Sequence, residues 1–519
     1  MKKFLGLLTL GLAIISTNLM GAEVTILHTN DLHAHVEPFL FRGLDANRKV
    51  GGFANITTYV KNVKEQEKGK REVLFLDAGD YFTGPYISSL TEGEAIIDIM
   101  NTMGFDAATV GNHEFDHGWE NGREKLKQAT FPIVLGNVYE DKTGKPFWDK
   151  PYMIIERNGL KIGVIGLHGV FAFNDTVAAI MRKGITAQDE DEHLKKYIAE
   201  LKDKTDIVVL LVHQGIPARQ SSFGGDDVER ALKRDIDMAK TIPGIDILVT
   251  GHAHQGTPEP IKVNDTLIVS TNGQGSQVGR LDFTYDEKTG KITKYNGKLV
   301  TIYDDEITPD TKTQESIDKW KNKIEGITSK VIGQTDKTLT RSYGTESLLG
   351  NLFADSLMEA GKEFGSQFAV TNSGGIRNDI ESGEITFGSI ISAAPFPNEL
   401  TILDLTGAQV EEMFEHAAGL TNGVLQVSSE VRMTYDPEKE VGKRITKLTI
   451  NGEKIDKNKK YRVATNDFLA NGGDGFSSFL EGTNRVGKGG YMVYSAMIDY
   501  ISKRGTVSPQ LEERVITVK

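Results

Sequence analysis

The stretch "EVLFLDAGD" at residues 72–80 decides the fold class. Four consecutive apolar residues are followed at once by Asp77, Ala78, Gly79 and Asp80. A short continuous apolar run is typical of a strand that is covered on both faces of a sheet, and the acids then lie at its carboxyl end. The same plan recurs along the first half of the chain, in "EVTILHTND" (23–31), "AATVGNHEFD" (107–116), "KIGVIGLHG" (161–169), "IVVLLVHQG" (207–215) and "DILVTGHAH" (246–254).

Helical patterns separate several of these strands, at residues 55–68, 91–103 and 190–204. Buried strands that alternate with helices indicate an α/β fold. In such folds ligands bind in the crevice beyond the carboxyl ends of the strands. We therefore expect the polar residues that follow the six strands to converge on one site.

The composition of the sequence changes near residue 305, where charged residues become frequent. A highly charged segment with Ile317, Trp320 and Ile324 at helical spacing predicts a helix that joins two domains. Beyond it, strand patterns recur at residues 367–374, 399–407 and 460–468, and helical patterns at 346–361 and 408–418. The predicted organisation is a first domain at 23–310, a linker helix at 311–335 and a second α/β (α+β) domain at 336–519.

The N-terminus reads as a targeting segment. Lys2 and Lys3 precede the apolar run "FLGLLTLGLAII", and the small residues Gly21 and Ala22 follow. This order is typical of a secretory signal peptide, here residues 1–22, and the run is too short to span a bilayer. The chain has no cysteine, so neither a disulfide nor a lipid-modified cysteine is expected. The sequence predicts a protein that is periplasmic or secreted.

The negative net charge of the chain limits the classes of molecule that it is expected to bind. The chain has 72 acidic and 60 basic residues, a formal net charge of −12. An acidic surface repels nucleic-acid polymers and anionic membranes, so we expect neither as a partner. No second apolar stretch is long enough for a stable membrane anchor, and the oligomeric state is not indicated. A small phosphorylated substrate remains compatible, provided that metal ions or local arginines supply positive charge.

The polar strand ends carry the ligand types of a metal centre. Carboxylate, imidazole and amide donors are present without any thiolate, which suits a hard-to-borderline divalent ion. Asp80 has two carboxylate oxygens and could bridge two ions. A pair of ions forms a clamp for in-line displacement at phosphorus. Taken alone, a cluster such as "GNHEFDHG" (111–118) equally fits a capped turn, but its joint occurrence with the other strand ends favours a dinuclear site.

At this point the sequence is recognisable. "ILHTNDLHAH", "LDAGD", "VGNHEFD", "VHQG" and "VTGHAH", in this order, resemble the calcineurin-like metallophosphoesterases. "TNSGGIRNDIESGEITFGSI", "APFPNELTILDLTG" and "NDFLANGGDGF" are similar to the C-terminal domain of the 5′-nucleotidase family. The resemblance implies an N-terminal β-sandwich flanked by helices and a C-terminal substrate-binding domain.

The resemblance also implies roles for individual residues. It assigns one divalent ion to Asp31, His33, Asp80 and His254, and the other to Asp80, Asn112, His213 and His252. It places His113 against the substrate phosphate, with Asp116 holding its imidazole. The ions implied are zinc or manganese first, with cobalt or iron as further options.

In the second domain the resemblance implies nucleotide contacts. It assigns them to Asn372, Gly375, Arg377, Phe468 (stacking on the base) and Asp474 (holding the ribose), and with imperfect spacing to Arg341. The sequence departs from the family pattern at Val424, where a second aromatic often closes the base site. An aliphatic side chain there forfeits roughly 0.5–1.5 kcal/mol of aromatic pairing.

The function implied is an exported 5′-nucleotidase that hydrolyses nucleoside 5′-phosphates by attack of a metal-activated water. Hydrolysis of UDP-sugars, or a 2′,3′-cyclic-nucleotide phosphodiesterase/3′-nucleotidase activity, stays open within the same fold. An amidohydrolase is a more distant alternative, because "DLHAH" contains a His-x-His after a strand, but it would require a barrel of about eight βα units. A binding protein without catalysis is the other distant alternative.

Overall fold

The computed structural model describes residues 21–41, 43–45, 47–216, 228–420 and 423–518. Residues 1–20 of the predicted signal peptide lie outside this range. The first strand begins at Ala22, the residue expected to precede the cleavage point. Within the described residues no helix combines the length and the apolar character needed to cross a bilayer.

The first domain is built on fifteen described strands and eight described helices. The strands are β1 (Ala22–Thr29), β2 (Phe39–Leu40), β3 (Lys49–Val50), β4 (Glu72–Asp77), β5 (Ala107–Ala108), β6 (Val138–Glu140), β7 (Tyr152–Arg157), β8 (Leu160–His168), β9 (Ile185–Ala187), β10 (Ile207–His213), β11 (Ile247–Thr250), β12 (Ile261–Val263), β13 (Thr266–Val269), β14 (Gln277–Asp286) and β15 (Lys291–Thr301). The helices are α1 (Phe53–Glu67), α2 (Tyr86–Ser89), α3 (Glu94–Met100), α4 (Trp119–Leu126), α5 (Val170–Thr176), α6 (Glu190–Leu201), α7 (Val228–Ala231) and α8 (Lys233–Thr241).

Two sheets face each other in this domain. One has the order β15-β14-β1-β4-β5 and the other the order β12-β13-β11-β10-β8-β7. Alternate side chains of the central strands, such as Ile26, Leu74 and Val209, meet in one apolar cluster between the sheets. Their neighbours, such as Phe75 and Leu210, pack outward against helices. The predicted β-sandwich flanked by helices is therefore confirmed, and continuous apolar strands result because both faces are buried.

The helix between the domains is α9 (Thr311–Thr328), and it packs on the first domain. Ile317, Trp320 and Ile324 lie in the same core cluster as α1 and α3, and Trp320 Nε1 donates a 2.7 Å hydrogen bond to Asp98 Oδ2. The helix ends seven residues before the predicted limit at residue 335. Helical spacing of apolar residues stops at Thr328, and the segment that follows forms a strand of the second domain.

The second domain contains the remaining described elements. Its strands are β16 (Val331–Thr335), β17 (Phe368–Asn372), β18 (Gly383–Thr386), β19 (Glu399–Thr406), β20 (Leu425–Val427), β21 (Val431–Tyr435), β22 (Ile445–Ile450), β23 (Glu453–Lys454), β24 (Lys460–Asn466), β25 (Thr483–Met492), β26 (Thr506–Val507) and β27 (Val515–Thr517). Its helices are α10 (Leu348–Gly361), α11 (Phe387–Ala393), α12 (Gly407–Gly419), α13 (Asp467–Ala470), α14 (Ser477–Leu480) and α15 (Val493–Arg504).

A mixed sheet forms the centre of this domain, in the order β20-β17-β24-β19-β25. Strand β17 runs parallel to β24, while β19 and β20 run antiparallel to their neighbours. One face of the sheet packs against α12 and the other against α10 and α15. The predicted second α/β domain is confirmed. The loops that follow β17 and β24 lie on the side of the first domain, which positions the site described next.

Candidate active site

The seven predicted metal ligands lie at or directly after the carboxyl ends of five strands of the sandwich. Five of these side chains stand on backbone in the left-handed region, at Asp31 (φ 52°), His33 (φ 43°), Asp80 (φ 61°), His252 (φ 74°) and His254 (φ 50°). This conformation costs a non-glycine residue on the order of 1–3 kcal/mol. Such strain persists only where surrounding structure enforces it, and it is typical of functional sites.

One group of ligand atoms is centred on Asp31, His33 and His254. Each of the three residues offers a ligand atom within 4.8 Å of the others. His254 Nε2 lies 2.9 Å from His33 Nε2 and 3.3 Å from Asp31 Oδ1. His33 Nδ1 lies 3.0 Å from the carbonyl oxygen of Thr83, which fixes the ring so that Nε2 faces the cluster.

A second group of ligand atoms is centred on Asp80, His213 and His252, again within 4.8 Å of one another. His213 Nε2 lies 3.0 Å from Asp80 Oδ2 and 3.1 Å from Asn112 Oδ1. Its Nδ1 lies 2.8 Å from the carbonyl oxygen of Ala78. Asp80 Oδ2 also lies 3.9 Å from His33 Nε2, so this carboxylate stands between the two groups.

The cluster fits a pair of divalent cations. The His252 ring is buried, yet its Nε2 has no hydrogen-bond partner among the described residues. A buried nitrogen without a partner is costly in a finished structure, and a metal ion would satisfy it. The surrounding donors are imidazole, carboxylate and amide groups, the ligand set that divalent ions take in proteins.

The pKa values in the cluster reflect buried acids beside buried imidazoles. Burial opposes charge on His213, but the carboxylates of Asp80 and Asp31 outweigh it and raise the pKa of His213 to about 10. Burial also opposes charge on Asp80, yet the adjacent histidines hold the pKa of Asp80 well below its usual value. A metal ion would therefore replace a bound proton at His213, and metal uptake is expected to release protons.

His113 lies next to this cluster and is held by a carboxylate. Its Nδ1 lies 2.6 Å from Asp116 Oδ2, and the same oxygen accepts a 2.6 Å hydrogen bond from Thr83 Oγ1. Burial lowers the pKa of His113, but the charges of Asp116 and Asp80 prevail and raise it above the ordinary value. Its Nε2 lies 3.9 Å from Asp80 Oδ2, so this edge of the ring is directed at the cluster.

Glu114, for which the sequence predicted no role, is fully buried. Its two carboxylate oxygens accept hydrogen bonds from four backbone amides, those of Asp80, Tyr81, Phe82 and Gly111. The sequence also gave no indication of a role for Thr83, whose hydroxyl donates a hydrogen bond to Asp116. Both roles depend on contacts between loops about 30 residues apart, for which the sequence carries no local signal.

The second domain covers the cluster of predicted metal ligands and forms the opposite wall of one cavity. This wall is formed by Arg341, Tyr343, Asn372, Arg377, Phe468 and Asp474. Arg377 Nη2 lies 3.2 Å from His33 Nε2, so the guanidinium reaches across the domain boundary. Phe396 packs its ring 5.7 Å from that of His113, and Tyr86 N donates a 3.0 Å hydrogen bond to Ser392 Oγ.

Asn372 and Asp474 face the cavity as a pair. Asn372 Nδ2 donates a 3.1 Å hydrogen bond to Asp474 Oδ2. His416 Nε2 lies 2.8 Å from the carbonyl oxygen of Asp474, whose backbone is itself left-handed (φ 54°). The Phe468 ring lies against Gly473, where a Cβ would come within 2.5 Å of the ring, so a side chain at position 473 would displace the ring.

Two residues predicted to contact the substrate do not line this cavity. Val424 is fully buried in the apolar core of the second domain instead of facing a base. Gly375 is buried beneath the turn, and its neighbour Gly374 lines the cavity. Near position 424 the wall carries the aromatic ring of Tyr343. The amide of Val424 donates a 2.8 Å hydrogen bond to the Tyr343 carbonyl and so holds the Tyr343 loop over position 424.

Each of the two domains matches the model of a known protein family. Residues 24–256 match the family model of the calcineurin-like phosphoesterases, and residues 328–481 match that of the 5′-nucleotidase C-terminal domain. The chain belongs to the 5′-nucleotidase family. Membership of this family implies divalent metal ions, in agreement with the histidine and aspartate clusters.

Individual relatives of this 5′-nucleotidase family member span both domains. The trifunctional nucleotide phosphoesterase protein YfkN of Bacillus subtilis is 30% identical over 95% of this chain, which spans only 35% of YfkN. Protein UshA of Yersinia enterocolitica is 29% identical, over 88% of this chain and 86% of UshA. The crystal structure of a 5′-nucleotidase precursor from Thermus thermophilus superimposes with a TM-score of 0.83 at 28% identity, over 96% of this chain and 99% of that one.

The two-sheet sandwich also differs from the barrel of about eight βα units that an amidohydrolase would require. That alternative is therefore wrong for the part of the chain that the structure describes.

Proposed function

We propose that this protein is an exported, metal-dependent 5′-nucleotidase that releases phosphate from nucleoside 5′-phosphates. One observation carries the proposal. A single cavity is lined on one side by His113 with four of the predicted metal ligands and on the other by Arg377, Phe468 and Asp474. The four ligands are Asp80, Asn112, His252 and His254. A substrate with a phosphate at one end and a flat heterocycle at the other would meet a suitable group at each end.

In this proposal one ion is held by Asp31, His33, Asp80 and His254, and the other by Asp80, Asn112, His213 and His252. When bound, the pair would neutralise phosphoryl charge and lower the pKa of the attacking water. The Nε2 of His252, which has no hydrogen-bond partner among the residues that the structure describes, and the short distances around Asp80 support the assignment. Zinc or manganese suits this ligand set, with cobalt and iron as further options, and elemental analysis of the purified protein would decide among them.

Side chains from both domains would contact the substrate phosphate. His113 would stabilise the charge that develops on the phosphoryl group, with Asp116 and Thr83 fixing the ring. Arg377 would hold a phosphate oxygen from the opposite side, because its guanidinium already lies over His33. Both groups act only while the domains are closed on each other.

The wall of the second domain would hold the nucleoside. Phe468 offers a ring for stacking on the base, and Asp474 with Asn372 offers polar groups for ribose hydroxyls. Tyr343 is a further aromatic on this wall, and Arg341 Cζ lies 4.9 Å from the centre of its ring. In this proposal Val424 acts only as core packing beneath Tyr343.

Replacing Phe468 by alanine should weaken nucleotide binding with little effect on chemistry. Stacking of a base on an aromatic ring contributes about 1–3 kcal/mol, so we expect KM for AMP to rise roughly 5- to 150-fold while kcat stays near that of the wild type. Steady-state kinetics on AMP measure both constants. Tyr295→Ala, which removes an exposed aromatic on β15, is the matched control. An unchanged KM for AMP in the Phe468→Ala variant would show that the base does not stack on this wall of the cavity.

The choice of substrate within the class needs a direct comparison. The family resemblance keeps UDP-sugars and 2′,3′-cyclic nucleotides open as substrates, and YfkN is named a trifunctional nucleotide phosphoesterase. We expect AMP to give the highest kcat/KM in a panel with UDP-glucose and 2′,3′-cyclic AMP, measured with each candidate metal. A higher kcat/KM on either of the other two would reassign the substrate.

Export is the remaining part of the proposal. A chain that is exported should be recovered outside the cytoplasm with Glu23 as its first residue, as determined by N-terminal sequencing. An intact N-terminus on the recovered protein would contradict the predicted signal peptide. The expected partner is the nucleotide substrate, and neither a nucleic-acid polymer nor a membrane surface is expected to bind.

A further inference from the structure

Glu114 is a buried carboxylate whose surroundings are unusual. Oε2 accepts hydrogen bonds from the amides of Asp80 (3.0 Å) and Gly111 (2.6 Å). Oε1 accepts from the amides of Tyr81 (2.9 Å) and Phe82 (2.9 Å). A carboxylate has about four acceptor positions, so four amides fill them. Glu114 therefore has no acceptor position left for a metal ion or a substrate.

The four amides belong to two different loops that carry proposed metal ligands. The loop after β4 carries Asp80, and the loop after β5 carries Asn112 and His113. Strands β4 and β5 pair over only two residues, ending at Asp77 and Ala108. Beyond that point the backbone ladder no longer fixes the distance between the loops.

The loops nevertheless approach each other very closely. A Cβ on Gly79 (φ 90°) would lie 2.5 Å from the amide nitrogen of Gly111, so no side chain fits between them. The amide of His113 also donates a 2.8 Å hydrogen bond to Asp80 Oδ1. With so many amide donors directed inward, the loops need an acceptor at their centre, and Glu114 supplies it.

We propose that Glu114 is a positioning residue that sets the separation of Asp80 and Asn112, and thereby the geometry of the second metal site. The proposal rests on the proposed ligand assignment. A carboxylate is the one group that takes two amides from each oxygen without offering a hydrogen of its own. A glutamine at this position accepts through one oxygen only, and its NH₂ group faces amides that also donate.

The test compares Glu114→Gln with Glu120→Gln in the full chain. Glu120 is exposed on α4, six residues away, and undergoes the same chemical change. Metal-free protein is titrated with Mn²⁺, and kcat and KM for AMP are measured at saturating metal. For Glu114→Gln we expect one of the two metal dissociation constants to rise about 10- to 100-fold, the usual effect of losing a group that supports a ligand.

The two readouts separate positioning from general support of the fold. We expect kcat to fall at saturating metal while KM for AMP stays the same, because the nucleoside wall lies in the other domain. Glu120→Gln should behave as the wild type. Wild-type affinity for both ions in Glu114→Gln would overturn the proposal. An equal loss at both sites together with a raised KM would also overturn it, since that is the signature of a loosened fold.

Hydrogen exchange of the wild-type protein covers the case in which Glu114→Gln does not fold. In metal-free protein the amides of Asp80, Tyr81, Phe82 and Gly111 should be strongly protected. Exchange of these amides at the rate of exposed loops would overturn the proposal. A wild type that binds two ions but hydrolyses no AMP would contradict the proposed function, while the metal titration would still test Glu114.

Discussion

Asp80→Ala is expected to bind at most one metal ion per chain and to lose nearly all activity on AMP. Asp80 Oδ2 lies 3.0 Å from His213 Nε2 and 3.9 Å from His33 Nε2, so its carboxylate serves both halves of the cluster. A pair of ions supplies several kcal/mol of transition-state stabilisation, which corresponds to a loss of roughly 10³-fold in kcat/KM. Elemental analysis and phosphate release measure the two effects.

The matched control is Asp318→Ala on the exposed face of α9. It removes the same side chain from a helix that contributes nothing to the cavity, and it should retain two ions and full activity. If Asp80→Ala kept two ions per chain with activity within about tenfold of the wild type, a bridging role for Asp80 would be wrong.

His113→Ala is expected to keep both ions and lose most turnover. The hydrogen bond from His113 to Asp80 Oδ1 comes from the backbone amide, so an alanine preserves it. The lost imidazole is the group that Asp116 and Thr83 hold next to the cluster. Removing one stabilising donor of this kind typically lowers kcat about 10²- to 10³-fold. Single-turnover kinetics with AMP at saturating metal separate this effect from binding.

His117→Ala provides the comparison for His113, because it removes an imidazole from the same loop. No role in the site is assigned to His117, and its variant should stay within about twofold of the wild-type rate. Loss of metal ions in His113→Ala would make His113 a ligand. Equal losses in both histidine variants would point to a damaged loop.

The strand ends could be recognised from the sequence because their signal is local. An apolar run such as Leu74–Leu76 places the next polar residues at the edge of a sheet, whatever the rest of the fold does. Order along the chain then adds the family resemblance, which correctly implied the sandwich and the second domain. The structure brings the seven predicted ligands into one cluster, and their roles stay predictions that the experiments above test.

The features that the sequence did not predict arise from contacts between distant loops. Glu114 could not be singled out, because nothing near it in sequence shows that amides 32–34 residues away donate hydrogen bonds to it. Tyr343 lines the cavity while Val424 is buried, because the loop of Tyr343 is hydrogen-bonded over Val424. The limit of α9 was overestimated because a strand with a polar, β-branched composition follows the helix directly.

The central claim is that the two domains together hydrolyse a nucleoside 5′-phosphate with the help of bound divalent metal. The most direct measurement is phosphate release from AMP by the purified full-length or exported protein, first stripped of metal and then supplied with Zn²⁺, Mn²⁺, Co²⁺ or Fe²⁺. We predict no release from the stripped protein and rapid release once a suitable ion is restored. Absence of release with every one of these ions, from protein that binds two of them, would contradict the account.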